Sequence, residues 1–207
     1  VINLGKKMSN SEDIMDKQHA WIAEVLGTQK ESFLSSGIPD LATRIDRLNR
    51  LECLLLENHD EIVATESEDF GGRAATLTRA ADILGGVGVI HYNRDNLEEW
   101  MKAQPVVLPD DAQAAGMRAE IQYQPLGVVG VIIPWNGPFL LSTIAVANIF
   151  AAGNRVMLKP SELAPKSSAL LARLFSEYFD PAEVAVIEGD AEVSKAFSRQ
   201  PFDHMLF

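Results

Sequence analysis

The chain has 207 residues, 47% of them hydrophobic and 23% charged, which is typical of one globular domain or one and a half and excludes a disordered chain. Its formal net charge of −11 argues against nucleic acid or an anionic membrane as a partner. A single cysteine, Cys53, excludes an internal disulfide framework.

Neither end of the sequence shows a targeting or membrane signal. No basic and then apolar leader stands at the N-terminus, so we expect a cytoplasmic protein. The apolar run around residues 140–152 is shorter than a membrane span and contains Asn148, so no transmembrane helix is expected. The four histidines are scattered without metal-ligand spacing, and we expect no metal site.

Helical periodicity dominates the first hundred residues. Residues 1–9 resemble a frayed end, and Ser11 can cap a first helix that stops before Gly37. Asp40 is the predicted cap of a second helix, and a third is expected at 60–69. A fourth helical region, from residue 75 to 101, should bend where its glycines cluster. The second helix carries an apolar stripe that consists of Leu41, Ile45, Leu48, Leu51 and Leu55.

The arginines, the acidic run and the cysteine of this region are predicted to have no functional role. Arg44, Arg47 and Arg50 lie off the apolar stripe and should be solvated. The acidic run at 66–69 is predicted to be a solvated helix face. Cys53 lies in a leucine-rich helix without a basic neighbour, which favours a small hydrophobic residue over a nucleophile.

Beyond residue 104 the pattern changes to strands. Short strands at 105–108 and 119–123, separated by a turn region at 110–116, predict a β-hairpin. From Val128 onward, strands and helices alternate: strand Val128–Ile133, helix Pro138–Ala152, strand Arg155–Lys159, helix Pro165–Phe179, strand Val184–Glu188, helix Ala191–Phe197 and strand His204–Phe207. This order predicts an α/β fold with a doubly wound parallel sheet, preceded by a helical region.

Polar turns follow the first two strands of this sheet, where ligands of parallel sheets collect. The usual G-x-G-x-x-G turn is absent, and Pro134-Trp135-Asn136 stands in its place. Because proline has no N–H to offer a phosphate, this lowers the expectation of an ordinary dinucleotide site. The second strand ends in Lys159-Pro160-Ser161-Glu162.

Each of these residues has two interpretations from chemistry alone. The carboxamide of Asn136 can donate to a developing oxyanion, or it can be tied to its own turn. Lys159 and Glu162 can hydrogen-bond ribose hydroxyls, or they can form a solvated strand end. Ile132 and Ile133 can line a ligand or belong to the core, and Gly189 can admit a ligand or merely form a turn.

The two turn motifs together resemble the start of the cofactor domain of aldehyde dehydrogenases. The resemblance rests on Ile132-Ile133-Pro134-Trp135-Asn136 followed by Lys159-Pro160-Ser161-Glu162, flanked by Gln124-Pro125-Leu126-Gly127 and Pro201-Phe202-Asp203-His204. It runs over most of the chain and is clearest from Asn96 onward. The segment Asn96–Met101 and the PFDH ending are similar to the branch that includes class 3 and coniferyl aldehyde dehydrogenases.

The resemblance implies oxidation of an aldehyde to a carboxylic acid, and aromatic, coniferyl-like aldehydes are among the possible substrates. The implied cofactor is NAD, with NADP as the other option. The resemblance makes Asn136 the oxyanion donor, and it implies a homo-oligomer that associates through the hairpin. A glutamate at position 162 favours NAD. The implied cofactor contacts are Ile132, Ile133, Pro134, Trp135, Lys159, Ser161, Glu162 and Gly189.

In that family the nucleophilic cysteine, the general-base glutamate and the glycine turn that grips the pyrophosphate all lie beyond the position of Phe207. We therefore expect an N-terminal part of a longer or truncated enzyme, inactive by itself, because the chain also stops within an apolar strand. The expected organisation is a helical region at 1–104, a hairpin at 105–125 and a partial NAD(P)-binding domain at 126–207. Alternatives are a non-catalytic nucleotide-binding or scaffold fragment, and an enzyme that reduces acyl phosphates, although the latter would not supply both motifs.

Overall fold

The computed structural model describes residues 4–207, with side chains described from residue 20 onward. Its first half is helical. The first helix starts at residue 4, so the predicted frayed end is wrong for residues 4–9, because that stretch is free of proline and rich in helix-forming side chains. Residues 1–3 lie outside the described part. The helical segments are α1 (Leu4–Ser36), α2 (Leu41–Glu57), α3 (His59–Asp69), α4 (Ala75–Leu77), a π-helical segment (Thr78–Leu84) and α5 (Gly85–Trp100).

The predicted cap of the second helix is confirmed. Asp40 caps α2, since its carboxylate accepts a hydrogen bond of 2.8 Å from the backbone N–H of Thr43. The glycine cluster at which a bend is predicted lies inside α5, and the departure from α-helical geometry is the π-helical segment that precedes it and ends at Leu84. A β-carbon on one of these glycines, Gly86, would lie 3.0 Å from Leu55 and from Thr143, so this glycine lets α5 pack closely on its neighbours.

Strands begin after residue 103. The predicted hairpin pairing is present, with Gln104 opposite Ile121 and Pro105 opposite Glu120, but both strands are shorter than predicted and the predicted turn contains a helix. The remaining elements are β1 (Gln104–Pro105), α6 (Asp110–Ala114), β2 (Glu120–Ile121), β3 (Val128–Ile132), α7 (Pro138–Ala151), β4 (Arg155–Lys159), α8 (Pro165–Tyr178), β5 (Val184–Val186), α9 (Ala191–Ser198) and β6 (His204–Leu206).

Four of these strands form one parallel sheet in the order β5-β4-β3-β6. Successive strands are added on one side of β3 up to β5, and β6 is then added on the other side of β3. This strand order is that of one half of a doubly wound sheet. Helices cover both faces, so the predicted fold class is confirmed. The point at which the order reverses lies between β3 and β6, and ligands of such sheets bind outside the carboxyl ends of the strands there.

Alternate residues of β3 point to opposite faces of the sheet, as the period of a strand requires. Val129, Val131 and the following Ile133 join a core formed with α2, α5, α7 and α8. On the other face, Val128 joins a core in which Met157, Ile187 and Phe197 pack against α1 and α9. Both faces of the sheet are therefore buried, which explains the nearly continuous apolar sequences of β3 and β4.

The prediction that the arginines of α2 are solvated is wrong. Arg44 and Arg47 are only 6% and 5% exposed, because α7 and α8 cover the side of α2 next to its apolar stripe. Arg44 donates to the carbonyl of Ala151 at 2.8 Å. Arg47 and Arg50 both bind the carboxylate of Glu183, at 2.8 and 2.9 Å. Arg47 and Arg50 are thus paired with a carboxylate, whereas Arg44 is satisfied by backbone carbonyls.

The prediction that Cys53 serves as a small hydrophobic residue is also wrong, since its side chain is exposed. Leu51 and Leu55, two residues before and after Cys53, point into the core. Because successive residues of a helix are rotated by about 100°, Cys53 between them points outward. Within residues 4–207, no helix is both long and apolar enough to cross a membrane.

Candidate functional site

The carboxyl ends of β3, β4 and β5 are held at one edge of the sheet. Beyond β3, the backbone N–H of Ile133 donates to the carbonyl of Lys159 at 2.9 Å. Beyond β5, the N–H of Ile187 donates to the carbonyl of Leu158 at 2.7 Å. The turn at 134–136, the turn at 159–162 and the loop around Gly189 therefore share this edge, as the strand order predicts.

Asn136 lies in the exposed turn between β3 and α7. Its carboxamide makes no hydrogen bond to the described side chains or backbone, so its N–H groups remain free to donate outward. The interpretation as a turn residue tied to its own backbone does not describe this conformation. The residue is therefore available for the oxyanion-binding role that the sequence suggests.

The residues before Asn136 form an uneven apolar wall. Ile133 is 3% exposed and belongs to the core, so only its main chain can meet a ligand. Ile132 is partly buried, whereas Pro134 is exposed. The indole of Trp135 is 52% exposed and lies 6.5 Å from the ring of Phe70, measured between ring centroids. The aromatic face of Trp135 is thus backed on one side and open on the other.

An apolar groove of about 590 Å³ opens beside this wall, where β3 meets β6. Its floor is the sheet face next to α7. The side chains that line it include Ile132, Pro134, Leu141, Leu206 and Phe207. The groove also reaches Leu126 and Asn154 at the amino ends of the strands, so it follows the sheet face beside α7 and is not confined to the carboxyl edge.

Lys159 is not the solvated strand end that one interpretation required, because its side chain is only 1% exposed. Its ammonium donates to the carbonyl of Pro160 at 2.6 Å and lies 3.9 Å from the carboxylate of Glu162. Burial lowers the pKa of Lys159, and the negative charges of Glu162, Asp190 and Glu188 partly oppose this. Lys159 is therefore a buried ammonium with one hydrogen bond to a carbonyl and one carboxylate near it.

The neighbours of Lys159 are more open. Glu162 is exposed, while the hydroxyl of Ser161 accepts a hydrogen bond of 3.2 Å from the N–H of Leu163. Gly189 has a φ of 142°, and a β-carbon there would lie 2.5 Å from the side chain of Val193. The turn alone therefore accounts for this glycine, whose contact with a ligand stays a prediction.

The acidic run at 66–69 is not a solvated helix face, and sequence reasoning missed its function. The carboxylate of Asp69 accepts hydrogen bonds from the backbone N–H groups of Ser167, at 2.7 Å, and Lys166, at 3.2 Å. These N–H groups belong to the first turn of α8, which has no side-chain cap of its own at Ala164. Asp69, a residue of α3, therefore caps the N-terminus of α8 in place of a local side chain.

A second carboxylate of the same run, Glu66, is fully buried in a cluster with Thr78, Arg73 and Asp82. Its Oε2 accepts from the hydroxyl of Thr78 at 3.1 Å and lies 3.5 Å from Nε of Arg73. The guanidinium of Arg73 also binds Asp82, which is equally buried. Burial first and the charge of Asp82 second raise the pKa of Glu66 to about 7, against the opposing effect of Arg73.

Comparison with known proteins assigns these features to a family. The family model described as "Aldehyde dehydrogenase family" matches residues 15–207. The chain is 45% identical over 186 residues to the coniferyl aldehyde dehydrogenase of Pseudomonas sp. strain HR199, covering 90% of this chain and 38% of that protein. It is 33% identical over 178 residues to aldehyde dehydrogenase family 3 member A2 of Pongo abelii, covering 86% and 36%.

The fold gives the same result. AldH of Staphylococcus aureus, solved in a substrate-bound state, superposes with a TM-score of 0.84 at 28% identity, covering 89% of this chain and 40% of that one. The chain thus spans about two fifths of the length of the proteins that it matches.

Proposed function

The chain belongs to the aldehyde dehydrogenase family, and on this premise we propose that it is the cofactor-binding N-terminal part of an enzyme that oxidises an aldehyde to a carboxylic acid. The observation that carries the proposal is the meeting of two turns at one sheet edge. One presents the free carboxamide of Asn136, and the other presents the exposed Glu162 next to the buried ammonium of Lys159. The first suits a reacting carbonyl and the second suits the ribose of a dinucleotide.

The residues present fit a nicotinamide dinucleotide. Lys159 supplies donors and Glu162 supplies acceptors for ribose hydroxyls, while the backbone at Gly189 carries no side chain that would block an adenine. Trp135 and the main chain at Ile132 and Ile133 lead from there towards Asn136. When bound, the nicotinamide accepts the hydride that leaves the substrate.

We infer NAD in preference to NADP. The carboxylates of Glu162, Glu188 and Asp190 all act on Lys159, so the place expected for the adenine ribose is predominantly acidic. A 2′-phosphate would bring two further negative charges to these groups, whereas a 2′-hydroxyl can donate to one of them.

The role of Asn136 is to stabilise negative charge on the aldehyde oxygen while a thiolate attacks the carbonyl carbon. Its N–H₂ group would donate to that oxygen, and the hydrogen bond would strengthen as charge develops. Cys53 cannot be that thiolate, because it lies on the exposed side of α2 and not at this sheet edge. We therefore propose that the 207 residues alone do not turn over aldehyde.

The substrate class and the oligomeric assembly are each proposed from a single observation. An aromatic, coniferyl-like aldehyde is supported by the name of the 45% identical relative. Self-association through the hairpin is supported by its exposed apolar side chains, with Val107 91% and Tyr123 68% exposed. A cytoplasmic location stays a prediction, and so does the division into regions 1–104, 105–125 and 126–207.

Isothermal titration calorimetry of the purified chain with NAD and with NADP tests the proposal. Lys159→Ala should abolish the binding of NAD, and Lys195→Ala, which removes an exposed lysine on α9, should leave it unchanged. NADP should bind at least tenfold more weakly than NAD. Folded protein that binds neither dinucleotide would contradict the proposal, and an aldehyde-dependent rise in NADH absorbance that Asn136→Ala abolishes would contradict the predicted inactivity.

A further inference from the structure

Trp135 of the candidate site contacts an aromatic ring from the helical half of the protein. Its indole lies 6.5 Å from the ring of Phe70, measured between centroids, with 41° between the ring planes. Tilted aromatic pairs at centroid distances of about 4.5–7 Å attract each other beyond the burial of their surfaces. Because Pro134, Trp135 and Asn136 form an exposed turn, this ring contact ties the turn to the helical half.

Phe70 is held in place by the way in which α3 ends. It closes the helix, and its backbone N–H donates to the carbonyl of Glu66 at 3.0 Å. Gly71 and Gly72 follow with φ of 65° and 109°, a conformation that residues with a side chain rarely adopt. The N–H of Gly72 donates to the carbonyl of Ser67 at 2.7 Å, which completes a glycine C-cap and turns the chain away from the helix axis.

The residue that follows this turn, Arg73, covers Phe70. Its guanidinium lies 5.3 Å from the centroid of the Phe70 ring, within the range of a cation–π contact. Two fully buried carboxyl groups hold the guanidinium, since Asp82 accepts a hydrogen bond from Nη2 and Glu66 Oε2 lies 3.5 Å from Nε. The position of the Phe70 ring is therefore set both by the end of α3 and by the buried ionic cluster.

These contacts run without interruption from the buried cluster to the candidate site. Asp82 binds Arg73, Arg73 lies over Phe70, and Phe70 pairs with Trp135. Phe70 is only partly buried, and among the described residues it belongs to neither hydrophobic core. Core packing therefore does not explain why a large aromatic side chain occupies this position, whereas the contact with Trp135 does.

We propose that Phe70 is a positioning residue, which together with Arg73 holds the indole of Trp135 in place as a wall of the candidate site. The part that concerns ligand binding rests on the proposed function, in which Trp135 contacts the dinucleotide. An indole that is fixed before the ligand arrives loses no further rotational freedom on binding. An aromatic pair of this kind is strong enough to change an affinity by about 2- to 10-fold.

The indole N–H signals of the ¹⁵N-labelled 207-residue chain, without ligand, test the contact. The chain has three tryptophans, Trp21, Trp100 and Trp135, and Trp135→Phe identifies the signal of interest. Phe70→Leu should shift that signal and lower its heteronuclear NOE while the other two stay in place, and Phe70→Tyr should preserve it. The matched control is Phe33→Leu, a change in a partly buried ring at the opposite edge of the sheet, which should leave the Trp135 signal unchanged.

Calorimetric titration with NAD tests the part that concerns binding. Phe70→Leu should weaken binding about 2- to 10-fold. Arg73→Lys keeps a charge beside Asp82 but loses the planar face over Phe70, and it should weaken binding less. In a Trp135→Ala background, Phe70→Leu should add no further loss, because Phe70 acts through the indole. An equal loss in both backgrounds would overturn the proposal.

Two results without ligand would also overturn it. One is a Trp135 indole signal that Phe70→Leu leaves unchanged. The other is the absence of NOEs between the ring protons of Phe70 and Trp135, which needs only the unmodified chain. A folded chain that binds no NAD would refute the proposed function and the ligand-binding part of this proposal, but it would not alter the outcome of these two measurements.

Discussion

The carboxylate of Asp69 accepts a hydrogen bond of 2.7 Å from the backbone N–H of Ser167, 98 residues further along the chain. This contact fixes the start of α8, the helix that directly follows the turn with Lys159 and Glu162. Glu66, one helical turn earlier on α3, is buried and accepts a hydrogen bond from the hydroxyl of Thr78. The helical region thus supplies the cap for one helix that borders the proposed cofactor edge.

Asp69→Ala should lower the free energy of unfolding by about 1–2 kcal/mol, because two N–H groups of α8 lose their acceptor. Glu68→Ala is the matched control. It removes only an exposed ion pair with Lys166 and should cost less than about 0.5 kcal/mol. Urea unfolding of both variants at pH 7 measures the difference, and equal losses would show that Asp69 does not act as a cap.

Glu183→Gln should lower the free energy of unfolding by about 3 kcal/mol, because it leaves the buried guanidinium of Arg47 without a counter-charge. Glu177→Gln, which breaks an exposed pair with Arg173, should change stability by less than about 1 kcal/mol. Chemical denaturation at pH 7 compares the two variants. A loss at Glu183 as small as that at Glu177 would contradict a structural role for the buried pair.

The carboxylate of Glu183 should also make the free energy of unfolding depend on pH in the acidic range. Burial raises the pKa of Glu183, but hydrogen bonds from Arg50 and Arg47 outweigh it, so the pKa lies below its ordinary value. Such a group contributes its full stabilisation above the unfolded pKa of about 4.3 and loses it as the pH falls through the lowered folded pKa. The unfolding free energy of Glu183→Gln should therefore decline less steeply below pH 4.5 than that of the unchanged chain.

Glu66 should act in the opposite direction. Its folded pKa of about 7 lies above the ordinary value of 4.5, so the folded state holds a proton that the unfolded state has lost between these pH values. Stability should therefore fall as the pH rises from 4.5 to 7, by an amount on the order of 3 kcal/mol, and should then level off. Thermal melts of Glu66→Gln should lack this decline; an identical pH profile in both proteins would refute the assignment.

Gly130→Ala should destabilise the sheet by at least about 1–3 kcal/mol, because its β-carbon would lie 2.6 Å from the ring of Phe202. The control is Gly88→Ala on α5, where a β-carbon meets nothing within 4 Å. There alanine should stabilise by about 0.5–1 kcal/mol through its higher helix propensity. Thermal melts of both variants should move in opposite directions, and a neutral Gly130→Ala would show that Phe202 yields without cost.

The sequence was sufficient where structure depends on nearby residues. Strand Arg155–Lys159 has the predicted bounds, because a strand buried on both faces is an apolar run between turn residues. The position of Asn136 and Lys159 at one edge also followed from the alternation of strands and helices.

The sequence failed where a charge is paired across the chain. Arg47 finds its carboxylate 136 residues away, and no periodicity shows such a partner. Asp69 was missed for the same reason, yet a signal existed. The helix that begins at Pro165 lacks a Ser, Thr, Asp or Asn cap of its own, which indicates a cap from elsewhere.

The central claim is that the carboxyl edge of the sheet binds the dinucleotide, and chemical-shift mapping with NAD tests it most directly. In ¹⁵N-labelled chain, saturating NAD should shift the backbone amides of this edge, which are those of Ile132, Ile133, Trp135, Asn136, Lys159, Ser161, Glu162 and Gly189. The amides of Gly127, Asn154 and Glu183, at the opposite edge, should stay in place. Shifts confined to that opposite edge, or none at all, would contradict the account.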